Sequence, residues 1–215
     1  FYASGAANAC LDVSGFADRF SHCVLSASTG AGALLHTDAL LSKCLIYGNA
    51  SDGILINTTD AGGSRIEECI LWNNGRDNFR LSSTQASGGL QNVVLRKNIF
   101  GKAAAGYDIN YTVSDISAAT GAIEWSKALL DCNAFYTTGL GRYHNLYPNP
   151  TDLALTESPF ASDTDFTFNS AGGGGGLLTA NFCEVAYADG INTGNYLIGA
   201  LGIPSSTATA EMRSL

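Results

Sequence analysis

Leu41-Ser42-Lys43-Cys44-Leu45-Ile46-Tyr47-Gly48-Asn49-Ala50-Ser51-Asp52-Gly53-Ile54-Leu55-Ile56 holds two short β-type runs around a turn of Gly, Asn, Ser and Asp. The stretch recurs along the chain. Phe20-Ser21-His22-Cys23-Val24-Leu25 aligns with its first block without gaps, as do Ile66-Glu67-Glu68-Cys69-Ile70-Leu71 and Leu95-Arg96-Lys97-Asn98-Ile99-Phe100. A looser copy is Leu130-Asp131-Cys132-Asn133-Ala134-Phe135, and successive copies are offset by 21, 25, 29 and 35 residues. The second block, Gly53-Ile54-Leu55-Ile56, aligns with Gly32-Ala33-Leu34-Leu35, with Asn78-Phe79-Arg80-Leu81, and more loosely with Gly106-Tyr107-Asp108-Ile109.

A unit of 21 residues is too short for a βαβ element of about 30 or more, and nothing in it has helical period. If each copy coils into one rung, every strand pairs in parallel with the same strand about 4.8 Å away. This predicts an all-β parallel β-helix, a solenoid of about five or six rungs over residues 1–146. Pro148, Pro150 and five glycines after Ala171 then break the pattern. Residues 147–203 are therefore expected to form a C-terminal β/loop cap over the open end, and 204–215 a flexible tail.

Alternation points Leu41, Cys44, Ile46, Ile54 and Ile56 inward, and Val24, Leu45, Tyr47, Ile70, Trp72 and Ile99 outward. An apolar outer column of that size rarely stays in water. It is covered either by the C-terminal segment or by self-association with another copy of the chain, through the Leu45/Tyr47/Ile70/Trp72 face.

Only 14% of the residues are charged, and 11 Lys+Arg against 19 Asp+Glu leave a net charge of −8. That balance opposes attraction to phosphate backbones and anionic lipids, and argues against nucleic acid as a partner. With 25 Gly and so few charges, the surface must be built from Ser, Thr, Asn and Gly. The absence of any run of about 18 apolar residues argues against membrane insertion. Phe1-Tyr2-Ala3-Ser4-Gly5 lacks the charged-then-apolar order of a signal peptide, and so abrupt a start reads as a mature form or a piece of a longer chain.

The six cysteines, at 10, 23, 44, 69, 132 and 183, contain no Cys-x-x-Cys pair, and no His lies at zinc-ligand spacing. They read as reduced, buried thiols, with no metal site and no cofactor. His22, His36 and His144 accompany no nucleophile elbow or zinc helix, and His22 shares an exposed turn column with Lys43, Glu68 and Lys97. Glu67 and Glu68 stack on Arg96 and Lys97 as ordinary ladder pairs. The best acid–base candidates are Asp52 and Asp77, aligned on successive rungs beside Arg76, with Asp108 and Arg80 in the neighbouring strand. Against them, Asp beside Gly or Asn is a turn former whose side chain bonds local backbone.

The motif Cys44-Leu45-Ile46-Tyr47-Gly48-Asn49-Ala50-Ser51-Asp52-Gly53-Ile54 resembles the repeat of right-handed parallel β-helix proteins of the pectate-lyase-like superfamily. The column Cys23, Cys44, Cys69, Asn98, Asn133 resembles that family's inward position, where Asn ladders occur. Ser158-Pro159-Phe160, Asp165-Phe166-Thr167-Phe168 and Tyr196-Leu197-Ile198-Gly199-Ala200-Leu201 are similar to the closing segment of bacterial and phage members with no assigned activity. The resemblance implies a right-handed coil and an extracellular, cell-surface or virion-surface location. Enzymes of this fold use acidic clusters for calcium or grouped aspartates as acid and base, so calcium enters only under a lyase reading. No Asn-Thr-Asp, Asp-Asp or His-Gly element of the hydrolases occurs in the chain.

The repeats lengthen at one place, after the second strand, where the inserts are 57–65, 82–92 and 111–127. Insertions at a fixed point of a solenoid line one face, often the binding face. Here Tyr111 and Trp125 are expected to offer rings for stacking on sugars, and Gln85, Asn92, Asp115 and Glu124 hydrogen bonds. The expected function is a non-catalytic surface or virion-associated module, a rigid scaffold presenting loops to a polysaccharide or cell-surface glycan. The alternative is a secreted polysaccharide lyase or glycoside hydrolase. The discriminator is whether Asp52, Asp77 and Asp108 share one groove or sit in separate turns.

Overall fold

The computed structural model describes residues 2–15, 18–57, 63–83, 93–113, 129–144, 146, 152–155, 184–188 and 193–197. Strands come in threes along the chain: β1 (Tyr2–Ser4), β2 (Ala9–Val13), β3 (Asp18–Ser21); β4 (Val24–Ser26), β5 (Ala31–Leu35), β6 (Ala39–Ser42); β7 (Leu45–Tyr47), β8 (Ile54–Ile56), β9 (Arg65–Glu67); β10 (Ile70–Trp72), β11 (Phe79–Ser83), β12 (Val94–Arg96); β13 (Ile99–Gly101), β14 (Tyr107–Val113), β15 (Leu129–Asp131). β16 (Ala134–Tyr136), β17 (Gly141–His144) and β18 (Leu153–Ala154) continue the series. First strands stack on first, second on second and third on third, giving parallel sheets of seven, six and five strands. β19 (Glu184–Ala188) and β20 (Thr193–Leu197) form a separate antiparallel pair.

The register is the one the repeats predict: Val24 lies beside Leu45, followed by Ile70, Ile99 and Ala134. Leu153 lies beside Ala134, so the first sheet runs on past residue 146. Leu41, Cys44, Ile46, Ile54 and Ile56 are all fully buried in one interior cluster, as their alternation requires. Phe100 and Phe135 extend it as a stacked pair 5.2 Å apart.

One residue makes each bend from the third sheet into the first. His22, Lys43, Glu68, Lys97 and Cys132 take left-handed backbone, with φ of 53–55°. The residue after each turns inward and ties the coils together. The backbone N–H of Cys69 donates to Asn98 Oδ1 (2.8 Å), that of Asn98 to Asn133 Oδ1 (3.0 Å), and that of Asn133 to Asp152 Oδ1 (2.8 Å). Earlier in the stack the N–H of Cys44 meets Cys69 Sγ at 3.4 Å, so a thiol occupies the acceptor position that an amide takes later. At the bend from the first sheet into the second, Ser28 donates to Asn49 Oδ1 (3.0 Å) and Asn49 to Asn74 Oδ1 (3.2 Å). These ladders satisfy donors that burial would otherwise leave unpaired.

Two expectations need correction. In the fourth copy it is Ile109, not Tyr107, that lies beside Phe79, because the bend after β13 is longer than the alignment allowed. Asp108 therefore pairs with the position of Asn78, not of Arg80. In the charge ladder Glu67 does lie beside Arg96 in the register, but the ion pairs form elsewhere: Glu67 meets Arg65 on its own strand (2.6 Å), Glu68 meets Lys43 one coil earlier (3.7 Å), and Arg96 meets Asp131 (3.0 Å). The outward apolar column is covered, as its size requires. Leu45, Ile70, Trp72 and Ile99 stand outside the interior cluster yet are fully buried within the single chain, with Tyr47 half-buried.

Candidate functional site

The three candidate aspartates lie in or beside the bend between the first and second sheets, and all are buried. Asp52 takes a two-pronged contact from Arg76, with Nε at 2.8 Å from Oδ1 and Nη2 on Oδ2, and also accepts the N–H of Asp77 (3.3 Å). Asp77 accepts the Tyr107 N–H on Oδ1 (2.7 Å) and the Asn110 amide on Oδ2 (2.8 Å). Asp108 accepts from Asn78 Nδ2 (2.8 Å) and the Thr137 hydroxyl (2.5 Å). Burial pushes the Asp108 carboxyl up to about 6, against those two hydrogen bonds. Each carboxylate is spent on the bend beneath it, and none is presented to an open groove.

Of the expected sugar-binding set, Tyr111 is in the interior: it lies beside Leu81 in the register and is 3% exposed. Burial pushes its phenol pKa up. Its ring packs the core and offers no stacking face, because β14 runs on through Val113 where an insert was expected to begin. Gln85, Asn92, Asp115, Glu124 and Trp125 lie outside the described residues. The inserts that carry them follow β11 and β14 directly.

What does come together is a polar face on the outside of the second sheet. In the register Leu55, Arg80, Asn110 and His144 form one column on successive coils, so an apolar position becomes polar at Arg80. Asn110 donates its amide to Asp77, and its Oδ1 lies 3.0 Å from His144 Nδ1. A carboxylate only accepts, so the Asn110 NH2 is committed to it and its oxygen must face the imidazole. In the neutral ring this places the proton on Nδ1 and leaves a lone pair on Nε2. The His144 ring stacks on Tyr107, centroids 4.7 Å apart and 17° from parallel. Gly141 is the neighbour of Tyr107 in the register.

Arg80 completes the face. Its nearest ion-pair partner is Asp77, 3.9 Å from Nη1, and its Nε is buried with no hydrogen-bond partner among the described residues. Asn110, Tyr107 and His144 were not singled out by sequence reasoning. The signal that could have found them is the change from Leu55 to Arg80, Asn110 and His144 down a single outward column.

Among the described residues no group of three His, Cys, Asp or Glu is arranged to hold a metal ion, and no helix is long and apolar enough to cross a membrane. Cys10, Cys23, Cys44, Cys69 and Cys132 are free thiols, three of them in the inward column.

Parallel coils, inward ladders and a decorated outer sheet define the class as a β-solenoid. The family model for the right handed beta helix region matches residues 2–124, and the chain belongs to that family. No curated protein and no solved structure matches it.

Proposed function

We propose that this β-helix is a non-catalytic binding module that holds a glycan against the outside of its second sheet. The observation that supports this most is the outward cluster of Tyr107, His144, Asn110 and Arg80. It sets two stacked rings, the imidazole held by the buried Asn110, beside a guanidinium, a mixture of flat and directional polar surface of the kind sugars require. Gln85, Asn92, Asp115, Glu124 and Trp125, carried on the inserts that follow β11 and β14 in sequence, are proposed as further contacts to the same ligand. A surface or virion setting suits such a module.

The enzymatic alternative, a polysaccharide lyase or glycoside hydrolase, needs a pair of carboxylates facing substrate. Asp52, Asp77 and Asp108 are instead buried and hydrogen-bonded into bends, which favours binding over cleavage. The test is a glycan array probed with wild type and Tyr107→Ala. Specific retention lost in the variant, with an unchanged melting curve, is the expected result. Equal retention by both proteins would remove this face from the account.

A further inference from the structure

We propose that the end of the stack, β16–β18, is an acid-tightened latch: two carboxyls, Asp108 and Asp152, clamp it most firmly at low pH and let it go as the pH rises. The geometry is that of two amide runs that both end in an acid. Asn98 Nδ2 donates to Asn133 Oδ1 (3.1 Å), and Asn133 Nδ2 to Asp152 Oδ1 (3.1 Å). At the other bend Asn74 Nδ2 donates to Asn78 Oδ1 (2.9 Å), and Asn78 Nδ2 to Asp108 Oδ1 (2.8 Å). An amide has an NH2 to hand on to the next acceptor; a carboxylate has none. The second oxygen of each acid instead takes a hydroxyl of the β16–β17 coil, Tyr143 on Asp152 (2.6 Å) and Thr137 on Asp108 (2.5 Å). Asp108 thus ties that coil to the one before it, and Asp152 ties β18 to that coil. An Asn at either place would make a fastening indifferent to pH, whereas an Asp makes it titratable.

The direction follows from burial. Desolvation pushes the Asp108 carboxyl up to about 6, against the hydrogen bonds of Thr137 and Asn78 and the charge of Arg142 on β17. Burial raises Asp152 as well, against Tyr143 and Asn133, and the charge of Asp131 at the end of β15 adds to the rise. The Tyr143 phenol is itself raised, by burial and by Asp152, so it keeps its proton and donates. His144 on β17 and Asp77 are engaged with Asn110 instead. A carboxyl raised in the docked state holds a proton that it gives up once the coil comes away and water reaches it. Docking is therefore strongest below about pH 4 and weakens as pH rises through about 6. With an ordinary value of about 3.9 in the released coil, Asp108 alone weakens docking roughly tenfold between pH 5 and pH 7.

The experiment is amide hydrogen exchange on the full chain at pH 5, 6 and 7, corrected for the pH dependence of the exchange chemistry itself. The reporters are the N–H groups of Ala134, Leu140 and Leu155, which bond across coils to the carbonyls of Asn98, Gly106 and Phe135. The Ile70 N–H, bonded to the Cys44 carbonyl deeper in the stack, is the control. A coil that leaves on its own opens more often than the whole fold, so the three reporters should exchange at least roughly tenfold faster than the control at every pH. Their protection should fall about tenfold from pH 5 to pH 7. The double variant Asp108→Asn/Asp152→Asn keeps an oxygen for each incoming amide and an NH2 that the Thr137 and Tyr143 hydroxyls can accept from, and should show the same protection at all three pH values. Reporter protection equal to that of the control, wild-type protection that does not change with pH, or a double variant that keeps the wild-type slope would overturn the latch.

Discussion

Asn133 Oδ1 accepts both the backbone N–H (3.0 Å) and the side-chain amide (3.1 Å) of Asn98, one coil earlier in the same bend. Both donors are buried, and losing their acceptor leaves two unsatisfied groups at about 1–3 kcal/mol each. Asn133→Leu is therefore expected to cost roughly 2–4 kcal/mol, read as a lower urea midpoint. Cys69→Asn is the converse, placing an amide where a thiol now accepts weakly from Cys44. It should change stability by less than about 1 kcal/mol, the scale of a single net hydrogen bond.

Trp72 lies flat over Gly101 and stacks on Tyr136, two coils away, with ring centroids 5.9 Å apart. A Cβ at Gly101 would sit 2.3 Å from Trp72 Cζ3. Gly101→Ala should displace the indole, lower stability by about 1–3 kcal/mol as overpacking does, and red-shift the tryptophan emission. An unshifted spectrum and an unchanged melt would show that the indole does not rest there.

The Asp108 carboxyl stands at about 6 because it is buried, against about 3.9 in an unfolded chain. Between those values the native state keeps a proton that the unfolded state has lost. The contribution is fully present below about pH 4 and is lost as pH rises through 6, by an amount on the order of 2–3 kcal/mol. Burial shifts Asp152 in the same direction. Urea midpoints between pH 4 and pH 7 should fall with rising pH, and Asp108→Asn should flatten the slope.

Most of the coil was legible because its signals are local. Alternation placed Cys44, Ile46 and Ile54, and the recurring inward position placed Asn98 and Asn133 one above the other. Two things escaped. Period-2 alternation cannot detect a slip of two residues, since both registers keep the same face inward. Ile109 therefore takes the place expected of Tyr107 and Tyr111 that expected of Ile109, and Tyr111 was read as insert when it belongs to the core. The outer face escaped for a different reason: Arg80, Asn110 and His144 are separated by 30 and 34 residues in sequence, and only the stacking of coils with unequal inserts makes them neighbours. Asp77 was visible as a residue, but not as one already committed to the Tyr107 N–H and the Asn110 amide.

Burial also predicts thiol behaviour. Desolvation pushes Cys23 up to about 11 and Cys69 well upward, while the hydrogen bond with Cys69 draws Cys44 down to about 7; it is burial that closes the inward column, Cys44 included, to reagent. Native protein should label at Cys10 and Cys132, which are partly exposed, while Cys23, Cys44 and Cys69 react only after denaturation. Mass spectrometry after a timed pulse of iodoacetamide reads this directly; rapid native labelling at Cys44 would contradict the inward column.

The central claim is that the outer face of the second sheet binds glycan and does not cleave it. The most direct measurement follows one glycan panel with wild type and a Tyr107→Ala/His144→Ala double variant, recording retained ligand and newly formed reducing or unsaturated ends in the same incubation. The account predicts retention by wild type, its loss in the double variant, and no product from either protein. Product formed by wild type and abolished in the double variant would make the face a catalytic one and contradict the account.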